Sequence, residues 1–559
     1  MKHYISKFFS TIGVIFFPLL LYSLLSFLLF FSLIQNNNFD SIISMKGPDS
    51  YGELWAINWW TFAFSQHINP FFTQYLWAPY GYNLTQTLAA PLLSFLAYPL
   101  VKIFGLVPAV NFITVSAGVL SAYTAFWLTR YITRSFAAAL FGGFLFGFST
   151  FNFAHMLTDD LCITVTFLIP LIALLLVLFW DQKLKPLLFT VLLSLLLAAQ
   201  FYIDHETGVM LVLFFMCAFP IALVIFQSKR RDVWRIAKYT VIACFFTFLL
   251  ISPLVYYFFA TPKGDYPKNT IDNSTDLMNF IIPTRITWLG GQALRLLGKQ
   301  FSANVYESGG YLGLPLVIIC ILYIRQSWKL PASRFLICMG ILSALFTLGA
   351  FLHLFSPVHH IPLPWIIFNY LPSIREMEPA RIMLVTTVFV SVVGALWMST
   401  TKIKSVYKYA LVASSIIFLL PNVMTHRSTI VKKLNLPAYF AKSDYKQDVP
   451  YGGTAMIFAN NNCEAMYWQV RSGMWFKIVN GCTGGNPPGV ISGKSIASKV
   501  YQSHFLEINY NEFHRYLLYT QTRVIIVSPN VYQRWNTFFS KMGYQLHLRD
   551  GMYVARVQN

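Results

Sequence analysis

Residues 11–34, TIGVIFFPLLLYSLLSFLLFFSLI, carry no charged side chain, and residues 47–60, GPDSYGELWAINWW, then set Asp49 and Glu53 among four aromatic rings. An apolar run of that length crosses a bilayer as a helix, since roughly 20 residues span the hydrocarbon core. It is too long for the apolar core of a signal peptide, and no small-residue cleavage site follows. It therefore reads as a retained first helix with Lys2 and Lys7 in the cytoplasm. The acidic, aromatic stretch belongs to the loop that leaves the membrane on the other side.

Working outward, similar apolar runs recur. The 559 residues are 56% hydrophobic and only 11% charged, well below the roughly 25% charged residues of a soluble domain. Spanning helices are expected near 11–34, 107–129, 136–154, 161–180, 186–203, 207–227, 239–260, 309–324, 335–353, 382–399 and 408–422. The fold class is a mainly α membrane protein with a bundle of about eleven transmembrane helices.

The formal charge of +20 is concentrated in alternate loops: Arg130 and Arg134; Lys183 and Lys185; Lys229 to Lys238; Arg325, Lys329 and Arg334; Lys402, Lys404 and Lys408. This is the positive-inside pattern, so the charge orients helices and does not indicate a nucleic-acid partner. It puts the N-terminus in the cytoplasm and everything after about residue 422 outside. The apolar segments 87–105 and 364–374 are interrupted by proline and read as elements lying in the outer leaflet.

Two regions follow: a transmembrane part, 1–422, with a large first outer loop at 35–106, and a tail, 423–559. In the tail, TAMIFA, RVIIVSP and MYVARV read as strands, separated by amphipathic helical stretches at 504–520 and 531–543. That alternation indicates a small α/β outer domain. Five cysteines fall in spans; Cys463 and Cys482 lie in the tail, where an oxidising compartment allows a disulfide or leaves two buried thiols.

Ionisable groups beside membrane helices are costly and become candidates for function. The outer turns hold Asp49 and Glu53; His155, Asp159 and Asp160; Asp204, His205 and Glu206; Glu307; and Arg375, Glu376, Glu378 and Arg381. Each also has a plainer reading. Asp159 and Asp160 suit a helix start, the arginines suit lipid headgroups, and Trp59 and Trp60 suit an interfacial belt.

The stretches DSYGELWAINWW (49–60), NPFFTQYLWAPYGYNL (69–84), FGGFLFGFSTFNFAHM (141–156), ESGGYLGLPL (307–316), LPSIREMEPARIM (371–383) and MYWQVRSG (466–473) occur in one order along most of the chain. In that order the chain resembles the GT-C superfamily of polyprenyl-phosphate-sugar-dependent glycosyltransferases, and within it a bacterial branch that includes pilin-arabinosylating enzymes. The resemblance implies an enzyme of the bacterial inner membrane, with its tail in the periplasm. It would move a hexose or pentose from a polyprenyl-phosphate-linked donor to a glycan, lipid or protein acceptor, with inversion favoured by analogy.

Asp49 matches the superfamily's first-loop acid, a general base or acceptor-orienting group. Asp159 and Asp160 match its second acidic motif, although HMLTDDL departs from the nearer branch, where only the His is expected; Glu53 matches nothing clearly and reads as structural.

The chemistry asks for the same parts. A base takes the acceptor's proton, a contribution of about 10²–10⁴ in rate, and a cation stabilises the departing phosphate. Arg375 and Arg381 are the donor-phosphate candidates, with Arg285 behind them. Trp55, Trp59, Tyr82, His155, His205 and Glu307 are the sugar- and acceptor-binding candidates, with an apolar groove for the lipid between 55–82 and the in-plane segments. Neither a Rossmann-type glycine turn nor a DxD motif is present. A divalent cation stays open, because some members of the superfamily use one. The rival readings are a transporter or flippase of lipid-linked sugars and a non-catalytic assembly protein for envelope polymers.

Overall fold

The computed structural model describes residues 2–34, 40–44, 49–86, 90–157, 160–260, 273–291, 294–301, 303–304, 307–355, 358–371, 374, 377–422, 431–460, 463–482, 496–501 and 508–557. The chain is an integral membrane protein. Seven helical segments are long and apolar enough to cross a bilayer: Gly13–Phe30, Leu106–Thr133, Leu161–Trp180, Pro186–Ile203, His205–Ile225, Gln227–Leu250 and Pro379–Thr400. Phe136–Gly147 and Thr150–Met156 form an eighth as a pair bent by 42°. Apolar side chains such as Leu20, Leu24 and Leu28 stand exposed along the first helix, as a lipid-facing surface requires.

The breaks have local causes. Ser149 accepts the N–H of Asn152 at 3.2 Å, capping a new helix at the bend. Asp204 accepts the N–H of Thr207 at 2.8 Å and starts the helix His205–Ile225. The glycines of FGGFLFG let the helix Phe136–Gly147 lie against Leu106–Thr133: a Cβ on Gly147 would stand 2.5 Å from the carbonyl oxygen of Gly118.

Some expected spans differ from the helices found. The one placed at 239–260 is a helix Arg230–Leu250 that turns at Ile251, before Pro253, into a separate helix Ser252–Ala260. Leu314–Ser327, Pro331–Thr347 and Ser405–Leu419 have 14, 17 and 15 residues, shorter than the roughly 30 Å hydrocarbon core at 1.5 Å per residue. Pro91–Phe104 is a short helix and Pro364–Tyr370 a 3₁₀ helix.

The tail contains a five-stranded sheet in the order His547–Arg549, Met552–Arg556, Thr522–Val527, Thr454–Phe458, Lys477–Ile478. Thr454–Phe458 lies parallel to both of its neighbours, with Met456 opposite Ile525, and the other two pairings are antiparallel. All five residues of Thr454–Phe458 are buried, as a central parallel strand demands. On this sheet the ring of Trp535 packs 4.0 Å from that of Phe458.

The first loop is bound to the tail. Ser41–Ile43 pairs antiparallel with Val431–Lys433. Ala78 donates to the carbonyl of Ile478, and Ile478 donates to that of Tyr75, both at 3.0 Å. One hydrophobic core runs through Trp55, Trp59 and Trp77 of the loop into Tyr467, Trp468 and Ile525 of the tail. The expected division after residue 422 falls against 423–430, outside the described residues.

Candidate active site

The helix Asp49–Ser65 opens the site. Its Glu53 accepts the backbone N–H of Leu161 through both carboxylate oxygens, each at 2.9 Å. That bond satisfies an orphan donor at the start of the helix Leu161–Thr164. It also fixes the first turn of the loop helix beside Asp160. Asp49 is the first residue of this helix, one turn before Glu53; its side chain lies outside the described residues, as do Asp159 and Arg375.

Beside this junction Arg381 is surrounded by four carboxylates. Its Nε donates to Glu307 Oε1 at 3.0 Å and its Nη1 to Glu206 Oε2 at 2.5 Å. Its Nη2 lies 3.1 Å from Glu378 Oε2 and 3.7 Å from Asp160 Oδ2. Glu206 also accepts the N–H of Glu378 at 3.1 Å. The guanidinium thus ties together the start of Leu161–Thr164, the first turn of His205–Ile225, the segment before Leu314 and the start of the helical segment Pro379–Thr400. His155, fully buried, stands 3.8 Å from Asp160. Among these acids Asp160 is the most open, with 28% of its side chain exposed against 2% for Glu307.

The burial of Glu307 pushes its carboxyl well above the ordinary range. Arg381 opposes this, and contact with Glu378 and the charge of Asp160 add to it. Like charges in one site cannot all ionise. Burial and its acidic neighbours thus act on Glu307 against the pull of Arg381. Among the described residues no group of three or more His, Cys, Asp or Glu has metal-holding geometry.

The sequence candidates separate clearly. Asp160, His155, Glu307 and Arg381 come together, with Glu53 as their anchor to the first loop. His205 is half-buried, its ring 5.9 Å from that of Phe258, one residue before Glu206. Arg285 is exposed and makes no ion pair among the described residues. Trp55, Trp59 and Tyr82 differ from expectation: each is at most 1% exposed. The first two stack with ring centroids 5.0 Å apart, and Trp55 Nε1 donates to Gln469 Oε1 at 2.6 Å. A buried face cannot meet a sugar; these rings join the loop to the tail.

Glu206 and Glu378 stood in the sequence among the acids of the outer turns, with no specific role attached to either. The spacing of Glu378 three residues before Arg381 was the available signal. Cys463 and Cys482 form a disulfide.

A family model described as "Domain of unknown function (DUF6311)" matches residues 20–420. No curated protein matches the sequence. Among solved structures, the mycobacterial arabinofuranosyltransferase AftD aligns with a TM-score of 0.53 and 14% identity, over 91% of this chain and 35% of its own. The apo oligosaccharyltransferase of Archaeoglobus fulgidus aligns with a TM-score of 0.51 and 12% identity, over 92% of this chain and 69% of its own. The chain thus spans about a third of the length of the mycobacterial enzyme. The fold is GT-C-like.

Proposed function

We propose, from the premise that this chain belongs to the DUF6311 family and has a GT-C-like fold, that it is a glycosyltransferase. It transfers a sugar from a polyprenyl-phosphate-linked donor to a glycan, lipid or protein acceptor at the outer face of the membrane, with Asp49 as general base. The observation that carries this reading is the double acceptance of Leu161 N–H by Glu53. It brings the first turn of the helix headed by Asp49 to the buried charge cluster at the ends of the spanning helices.

In this reading Asp49 takes the proton of the acceptor hydroxyl as its oxygen attacks the anomeric carbon. A carboxylate is a residue type suited to that proton transfer. Arg381 already serves carboxylates on each of its nitrogens. Its part is to hold the helix ends in register, and the donor phosphate falls to Arg375. The tail, sharing its core with the first loop, shapes the acceptor side.

The test is genetic and chemical together. A deletion strain carrying Asp49→Asn, expressed at the wild-type level, is expected to accumulate lipid-linked sugar and lack the glycan product. Normal product in that strain would remove Asp49 from the mechanism.

A further inference from the structure

A second charged site lies at the opposite end of the bundle. There a cavity of about 390 Å³ is lined by Arg130, Tyr131, Ile132, Arg134, Val177 and Asp181, where the helices Leu106–Thr133 and Leu168–Trp180 end. Arg130 and Arg134 are one helical turn apart, and neither guanidinium has a hydrogen bond or ion pair among the described residues. The one carboxylate in the wall, Asp181, is engaged: its Oδ2 accepts the Tyr131 hydroxyl at 3.0 Å. The nearby Asp232 pairs with Arg235 at 3.5 Å, and Lys183 and Lys185 follow Asp181 in the same loop. The local field is therefore positive, and two fork-shaped donors remain unspent.

We propose that this cavity binds a phosphate group, and that the phosphate is the headgroup of an anionic phospholipid in the leaflet at this end. Two guanidiniums match phosphate oxygens bidentately. The Ile132 and Val177 walls belong to helices long enough to span the membrane, so they offer the glycerol and first acyl carbons an apolar surface beside the charge. The positive-inside bias alone asks nothing of where the guanidiniums point. Here they line one hollow. The site is independent of the catalytic reading, lying at the other end of the bundle.

The test uses the full-length protein in neutral detergent, titrated with phosphatidylglycerol, phosphatidylcholine or inorganic phosphate and followed by native mass spectrometry and thermal unfolding. Phosphatidylglycerol is expected to bind and stabilise where phosphatidylcholine does not. Arg130→Gln or Arg134→Gln should each weaken it roughly fivefold, the worth of one basic side chain at a membrane surface. The double variant should lose about 25-fold by the same measure. Asp181→Asn, which removes the one opposing charge, should tighten binding. If inorganic phosphate alone binds and displaces the lipid, the phosphate site stands and its source is soluble. Equal phosphatidylglycerol binding by the wild type and the double variant would overturn the proposal. Should the double variant not fold, unchanged or weaker binding by Asp181→Asn overturns it instead.

Discussion

Replacing Glu307 by Gln removes one titratable carboxyl from the Arg381 cluster. Burial raises the Glu307 carboxyl well above its ordinary value of 4.5. Between that value and the raised folded pKa, the folded state binds more protons, so stability falls as pH rises, by about 1.4 kcal/mol per unit. Gln keeps the shape, accepts from Arg381 Nε and donates to Glu378 without a proton to lose. The variant should therefore gain stability relative to the wild type as pH rises from 4.5. Glu206→Gln is the contrast. It turns the 2.5 Å charge-assisted bond to Arg381 Nη1 into a neutral one and should destabilise by about 1–2 kcal/mol. Arg381→Met leaves the buried acids without a cation and should cost about 3–5 kcal/mol. The assay is thermal unfolding of the full chain in detergent, by tryptophan fluorescence, across pH 4.5–7. Parallel pH curves for the wild type and Glu307→Gln, or a Glu307→Gln loss as large as that of Glu206→Gln, would refute the shared-charge account.

Gln469→Ala should orphan Trp55 Nε1 and the Phe476 carbonyl, while the Tyr75 carbonyl, bonded to the same buried amide, keeps the N–H of Ile478. At about 1–3 kcal/mol per orphaned group, the first loop should become cleavable by protease before the bundle unfolds. Glu53→Ala should free the Leu161 N–H, and its activity should fall with Asp49 intact; full turnover in that variant would contradict the positioning role. Reduction of Cys463–Cys482, whose residues are 19 apart, should lower tail stability by about 3 kcal/mol. Maleimide should label both thiols only after reductant; labelling without it would deny the bond.

Much of the bundle was legible because hydropathy acts locally: eight of the eleven apolar runs coincide with segments long enough to span, the bent pair counted as one, and the other three with shorter apolar helices. The tail strands were legible for the same reason, since TAMIFA and RVIIVSP are continuous β-branched or apolar runs between turns. The turn at Ile251 was hidden because nothing in the hydropathy of 239–260 changes there; only Pro253 marked it. The roles of Trp55 and Trp59 were misjudged because burial depends on Gln469 and Tyr467, more than 400 positions away. The charge cluster was half legible. Its members stood out as acids at helix ends, but that Arg381 would be shared among four of them follows from packing alone, and that sharing moves it from phosphate clamp to organising hub.

The measurement closest to the central claim is single-turnover release of polyprenyl phosphate. Proteoliposomes of the wild type and of Asp49→Asn would be given the lipid-linked sugars extracted from deletion cells, with donor binding measured alongside. Equal donor binding and at least a roughly 100-fold slower release by the variant are expected, the lower bound for losing a general base. Release at the wild-type rate would contradict the claim.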